Sequence, residues 1–364
     1  MNILHIEDDT SYQERVKDGL SKVFNPYIKS CTFDDYLEFL NFYNIDLIIL
    51  DLRKGQVDDD EPGYKIIDEI WEMIFCPIIV FSAIANQIYP NEHSENYFIK
   101  KVEKGSGEIK RLVDTVNELS SYVKRKNETS KLLNFHISET YKEAFPLVLK
   151  NLNNSNIEEI QDIFTRLMRR RIAAALDESV DSSPIKSWEI YLLPPINKQL
   201  LAADVLFKSG EDTNKAESYK VVLSPSCDLQ KDEDKERKPL DRVLVVSCVN
   251  IELYLKTKGL SKETSDKKFF EYLPKYISNS NNERYLPLPG LKDLLPNMAC
   301  DFKNLEMIAY ENIGENSEYI KVASIDSPFR EAIIWAYMQI NCRPGLPDRN
   351  FDLWTRQIWE EISQ

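Results

Sequence analysis

The first 125 residues alternate short, β-branched apolar runs with stretches whose apolar positions recur every three or four residues, the pattern of strands joined by crossover helices in a parallel sheet. Five runs predict strands: Ile3–Ile6, Tyr27–Cys31, Asp46–Leu50, Pro77–Phe81 and Tyr97–Ile99. DLIIL and PIIVF are apolar nearly throughout, as strands covered by helices on both faces should be. Over Glu108–Lys124 the residues Ile109, Leu112, Val113, Val116, Leu119 and Val123 form one stripe at helical spacing and predict the last crossover helix. The expected fold of residues 1–125 is therefore a doubly wound α/β unit with a five-stranded parallel sheet.

Beyond Lys126 the texture changes. Helical patterns run over Glu128–Leu152 and Ser155–Glu178, the second opened by a capping box from Ser155 to Glu158, so residues 126–185 are expected to be a helical connector. Its apolar residues, among them Leu132, Phe135, Tyr141, Phe145 and Leu149, suit either a dimer seam or an intrachain helical pair, and a homodimer stays open on that ground. From residue 186 to 364 strand-like runs (Trp188–Leu193, Tyr219–Leu223, Arg242–Val249) mix with helices, one opened by Ser327 and Pro328, which predicts an α+β domain. The stretch Arg343–Asp348 reads as a tight turn after that helix.

At 364 residues the chain exceeds what one core usually serves, and 43% hydrophobic content with 10 Gly excludes a disordered or collagen-like chain. A net charge of −14 works against nucleic acid and anionic membrane as partners. No run reaches the ~18 apolar residues that span a bilayer. Six Cys without a CxxC pair and an acidic start (MNILHIEDD) point to a reducing, cytoplasmic setting.

In open α/β sheets function gathers at the carboxyl ends of the strands. There the sequence puts Glu7, Asp8 and Asp9 after the first strand, Asp51 after the third, Ser82 after the fourth and Lys100 or Lys101 after the fifth. Converging carboxylates repel one another, and a hard divalent cation such as Mg²⁺ neutralises them. A carboxylate beside Mg²⁺ can attack a phosphoryl donor, which makes Asp51 the candidate nucleophile, with a Lys and the Ser82 hydroxyl to bind phosphoryl oxygens.

The segments ILHIEDD, DLIILDL, PIIVFSA and YFIKK, in this order, resemble the receiver domain of bacterial two-component response regulators, a flavodoxin-like fold, over about residues 1–125. The resemblance implies that Glu7 and Asp8 bind Mg²⁺ together with Asp51 and the backbone carbonyl of Arg53. It implies further that Asp51 accepts phosphate from a sensor histidine kinase, that Ser82 and Lys100 contact the phosphoryl group, that Tyr97 is the aromatic switch, and that a downstream effector reads the change. Two departures stand out. The usual Lys-Pro is Lys100-Lys101, so either lysine could serve, and the loop after Asp51 (RKGQVDDDEPG) is long and acidic.

The second half offers less chemistry. No helix-turn-helix is evident, and Arg166, Arg169, Arg170 and Arg171 read as a solvated helix face. In VVLSPSCDLQ, Cys227 and Asp228 stand on a turn after a strand. Cys227 reads as a nucleophile, as a zinc ligand with Cys248, Cys300 and Cys342, or as a structural thiol. Outside the first 125 residues the only His is His136, so a Cys/His pair lacks an obvious base; self-phosphorylation of the receiver is the leading expectation for catalysis, with an enzyme gated by phosphorylation, Cys227 or Asp228 in its pocket, as the alternative. Arg330 and Arg343 are candidates to pair with Asp228 or Asp301. SPSCDL, RYLPLPG and SPFREAIIWAY resemble an uncharacterised bacterial module that accompanies signalling and anti-phage genes. Receivers of the antiviral two-component system called Detocs are similar, which implies an alternative role as a phosphate sink buffering a kinase.

Overall fold

The computed structural model describes residues 1–42, 44–52, 62–85, 96–151, 156–178, 184–195, 199–230, 240–278, 284–342 and 351–363. The chain divides into two units, Met1–Asp181 and Ser182–Gln364.

The first unit contains β1 (Asn2–Ile6), α1 (Thr10–Ser21), β2 (Tyr27–Cys31), α2 (Tyr36–Phe42), β3 (Leu47–Leu50), α3 (Pro62–Met73), β4 (Ile78–Ser82), β5 (Ile99–Glu103) and α4 (Glu108–Glu143). Its sheet is parallel in the order β2-β1-β3-β4-β5, the flavodoxin-like winding expected from the sequence. Alternation along the strands sends Leu4, Ile6, Ile48, Leu50 and Val80 to one face, where α2 and α3 bring Leu40, Ile67 and Ile70. Ile3, Leu47, Ile49, Ile79 and Phe81 go to the other, against Val16 and Leu20 of α1 and Leu112, Val116 and Leu119 of α4. This layer is close: a Cβ at Gly19 would collide with Ile109 Cγ2, so α1 meets α4 at a glycine.

Two boundaries differ from expectation. The fifth strand begins at Ile99, where the sequence reading ended it, because Ile99 and Val102 are the residues this edge strand buries, while Lys100 and Lys101 lie half-buried between them. Second, α4 runs without a break through position 126, so the crossover helix and the first connector helix are one element of 36 residues. It packs with α5 (Phe145–Asn151) and α6 (Ile157–Glu178) through a ring cluster of Tyr141, Phe145 and Phe164, and Arg171 pairs with Glu143. The expected cap Ser155 lies outside the described residues. Asn156 caps α6 instead, its Oδ1 accepting from the Glu159 N–H at 2.7 Å.

The second unit is built on an antiparallel sheet in the order β10-β11-β9-β8-β7-β12-β6. Its elements are β6 (Tyr191–Leu192), β7 (Asp204–Lys208), β8 (Tyr219–Val222), α7 (Ser226–Leu229), β9 (Arg242–Asn250), α8 (Ile251–Thr257), α9 (Asp266–Ser278), β10 (Tyr285–Leu288), β11 (Met298–Ala309), β12 (Tyr319–Ile325), α10 (Phe329–Asn341) and α11 (Asp352–Ile362). One sheet face packs Val205, Val221, Val246, Phe302 and Ile325 against Ile333 and Ala336 of α10. The other holds Leu206, Val222, Val243, Val245 and Ile308. Pro328 occupies the N-cap of α10, one residue later than the sequence suggested. No described helix is long and apolar enough to cross a membrane.

Candidate functional site

The parallel winding brings the carboxyl ends of β1, β3, β4 and β5 to one edge of the sheet, and the loops leaving them carry the charged side chains. Asp51 follows β3 directly and is held in line by its N–H donating to the Ile6 carbonyl of β1 (3.0 Å). Its Oδ1 accepts from the Leu52 N–H (2.7 Å) and its Oδ2 from Lys104 Nζ (2.7 Å). The same ammonium donates to Glu7 Oε2 at 2.6 Å, so one cation bridges the two buried carboxylates. Glu7 Oε1 also accepts from the Asp9 N–H (3.1 Å), while Asp9 caps α1 through the Ser11 N–H (2.8 Å). Hydrogen bonding from the Ser11 side chain, with the Ser11 N–H second, holds Asp9 below its ordinary value.

Burial decides the electrostatics here. Desolvation pushes the Glu7 carboxyl above its ordinary value despite Lys104, and the charge of Asp51 adds to the rise. Burial pulls Lys104 down, but the charges and hydrogen bonds of Asp51 and Glu7 outweigh it and hold the ammonium above 10.5. Its Nζ also lies 4.2 Å from the Tyr12 ring centroid and 5.5 Å from that of Phe81. Beneath, on the β1 face that carries Ile3, His5 is wholly buried with neither ring nitrogen partnered. Desolvation, reinforced by Lys104 and opposed by Asp51, lowers it to about 3.

The lysine of the site is therefore Lys104, and Lys100 and Lys101 are not. Lys100 sits mid-strand, opposite Ile79, and its Nζ bonds Glu118 of α4 at 2.7 Å. At ~3.3 Å per strand residue it lies about 13 Å before Lys104, which follows the strand end where Asp51 waits. Lys101, opposite Val80, faces the other side of the sheet. The signal that could have found Lys104 is the β-branched Val102: extending the strand through it puts Lys104, followed by Gly105, at the carboxyl end. Tyr97 falls two residues before β5, exposed, with its ring against Phe98 and Tyr122 and Lys100 Nζ 4.2 Å above it; β5 itself carries no aromatic residue. A hydrogen bond with Tyr122 pushes its hydroxyl up to about 12.

Ser82 ends β4, buried, and its carbonyl accepts from the Lys104 N–H (3.1 Å), which ties the Lys104 backbone to β4. Asp8 turns toward β2, its Oδ1 accepting from the Phe33 N–H at 3.4 Å. Arg53 lies outside the described residues. Among the described residues no three His, Cys, Asp or Glu side chains are gathered as a metal cluster. The donors present, Glu7 and Asp51 with Asp8 adjoining, are nonetheless carboxylate oxygens in a desolvated pocket that already demands a cation, the chemistry a hard divalent ion satisfies.

The candidates of the second unit separate. Cys227 is exposed and its thiol donates to Asp228 Oδ1 at 3.4 Å; Cys248 and Cys300 are buried opposite each other on β9 and β11; Cys342 stands exposed after α10. The four do not form a zinc site. Asp301 pairs with Arg284 through two 2.7 Å bonds, and Arg330 pairs with Asp326, so the pairing expected for Arg330 does not form. Arg343 and the turn expected at 343–348 lie outside the described residues.

No family model and no curated protein matches the chain. Solved structures similar to its N-terminal third include a two component transcriptional regulator AraC from Clostridium phytofermentans ISDg (16% identity, 35% of this chain and 98% of that one, TM-score 0.30). The response regulatory domain of protein mrkE from Klebsiella pneumoniae is similar at 18% identity, covering 34% and 99%, with a TM-score of 0.27. The Francisella response regulator 1452 receiver domain is similar at 21% identity, covering 34% and 98%, with a TM-score of 0.26.

Proposed function

We propose that the chain is a response regulator whose N-terminal unit accepts a phosphoryl group on Asp51 from a sensor histidine kinase. The observation that carries this reading is the Lys104 ammonium shared by Asp51 and Glu7 at the carboxyl edge of a parallel sheet. An Asp51 carboxylate oxygen attacks phosphorus, the bond from phosphorus to the donor nitrogen breaks, and an acyl phosphate remains. Lys104 then passes from Asp51 Oδ2 to a phosphoryl oxygen, and the Ser82 hydroxyl donates to another. Glu7 and Asp51, with Asp8 and the Arg53 carbonyl, would hold Mg²⁺, whose charge screens the approach of two anions. The added charge of about −2 biases the loops after β4 and β5 toward a second arrangement, which a downstream effector or the second unit reads.

Incubation with acetyl phosphate and Mg²⁺, followed by intact mass, tests the reading. The unmodified chain is expected to gain one phosphoryl group and Asp51→Ala none; an unlabelled native chain defeats it. A phosphate sink would accept the group and leave every second-unit property unchanged.

A further inference from the structure

Independently of that reading, the second unit presents an apolar groove of about 620 Å³ between α8, α9, β10 and the first turn of α10, lined by Ile251, Leu255, Phe269, Leu273, Pro287 and Phe329 among others. The wall formed by Ile251, Leu255 and Phe269 continues into a second trough that reaches Leu260. The same unit carries an apolar helix face that nothing covers. Residues 353–362 of α11 are all exposed, Trp354 by 55% and Trp359 by 67%. At 100° per residue Trp354, Ile358, Trp359 and Ile362 share one face, with Arg356, Gln357 and Glu360 opposite. A helix of 11 residues is marginal in water unless such a face is packed.

We propose that α11 of one copy seats this face in the groove of a second copy, reciprocally, so that the chain forms a dimer by exchange of its C-terminal helices. Three observations select a second copy. First, α11 stands outside its own groove with the face bare. Second, α10 lines the groove at its Phe329 end, and the connection to α11 leaves from its far end, ~20 Å away for 13 residues. The eight residues 343–350 extend to about 28 Å at most, so a return to the same groove uses ~20 Å of that reach in running back along α10, while a neighbouring copy makes no such demand. Third, a buried Trp contributes about 150–250 Å². Two helices exchanged reciprocally bury four Trp, roughly 600–1,000 Å², and with the groove walls approach the ~1,600 Å² of a standard interface, which one helix alone does not. Charge agrees: Asp352 and Glu361 flank the apolar face of α11, whereas residues 251–278 hold six Lys against four Asp and Glu in a chain of net charge −14.

Sedimentation equilibrium of the full chain tests this. The expected mass is twice 42.5 kDa, and the double substitution Trp354→Glu, Trp359→Glu is expected to weaken association at least about thirtyfold. Both side chains are exposed, so the variant folds, which circular dichroism verifies. Mixing it with a Leu273→Glu chain, whose groove is blocked, should restore dimers through the one helix and one groove left intact. In a Cys227→Ser, Cys342→Ser background, Ile358→Cys and Leu273→Cys joined by a short thiol cross-linker should give a band of doubled mass. A monomeric native chain, a cross-link confined to one chain, or a dimer indifferent to the double substitution overturns the proposal.

Discussion

The two units handle buried charge in opposite ways. In the first, Glu7, Asp51 and Lys104 come from loops after three different parallel strands and meet beyond the sheet's end. In the second, the ionic groups lie within an antiparallel sheet. Lys220 Nζ bonds Ser247 Oγ at 3.1 Å and Glu306 Oε1 at 2.6 Å across β8, β9 and β11, and Asp204 accepts from Ser324 Oγ (2.6 Å) beside Lys321 across β7 and β12. Crossover connections send every parallel strand the same way, so their loops pool charge at one edge. Antiparallel strands alternate direction, and their charges pair with cross-strand neighbours. The first arrangement gathers carboxylates around one cation, and the second uses them to fix register.

The sharpest break of this comparison is Asp51→Asn. It is expected to abolish phosphoryl labelling by acetyl phosphate while leaving the melting of the second unit unchanged; labelling elsewhere, read by peptide mass, would place the acceptor outside the strand ends. Next comes Lys104→Ala, which leaves two carboxylates without their cation and should cost the first unit about 3–5 kcal/mol in denaturant unfolding. Because folding raises the Lys104 value above 10.5, its stabilisation is complete below pH 10.5 and fades as pH rises through the raised value; the variant should lack that alkaline step. Lys100→Ala, in contrast, should change stability by less than about 0.5 kcal/mol and leave labelling intact. In the second unit Lys220→Met should cost about 1–2 kcal/mol, since Glu306 is partly exposed and regains water. Smallest is Glu306→Gln, below about 1 kcal/mol after solvent screening. The hydrogen bonds of Lys220 and Ser247 depress Glu306, so its contribution is present above pH 4.5 and lost as pH falls; the variant's acid unfolding should be shallower in the region melted with the second unit.

The sheet was legible wherever burial on both faces left an unbroken apolar run: β1, β3 and β4 stand within a residue of their expected places. The edge strand was not, because only Ile99 and Val102 are buried and two lysines share it with them. The four-residue error at the strand's end, Ile99 expected against Glu103 found, carried the site error, since Lys100 lies four residues before Lys104 and cannot reach Asp51. Asp51, Glu7 and Ser82 were readable because a residue that follows an unmistakable strand inherits its position. The intrachain use of the connector helices was undetermined in sequence, as an apolar stripe is the same whether its cover is α6 or another chain.

What the sequence determined alone is thus local and periodic: which segments are strands or helices, and which acids end the central strands. What the tertiary structure decided is which cation answers them and how the second sheet is ordered. Neither follows from neighbours along the chain. The choice of Lys104 over Lys100 rests on where an edge strand stops against β4, and the order of seven antiparallel strands rests on long-range pairing that no single window of residues encodes.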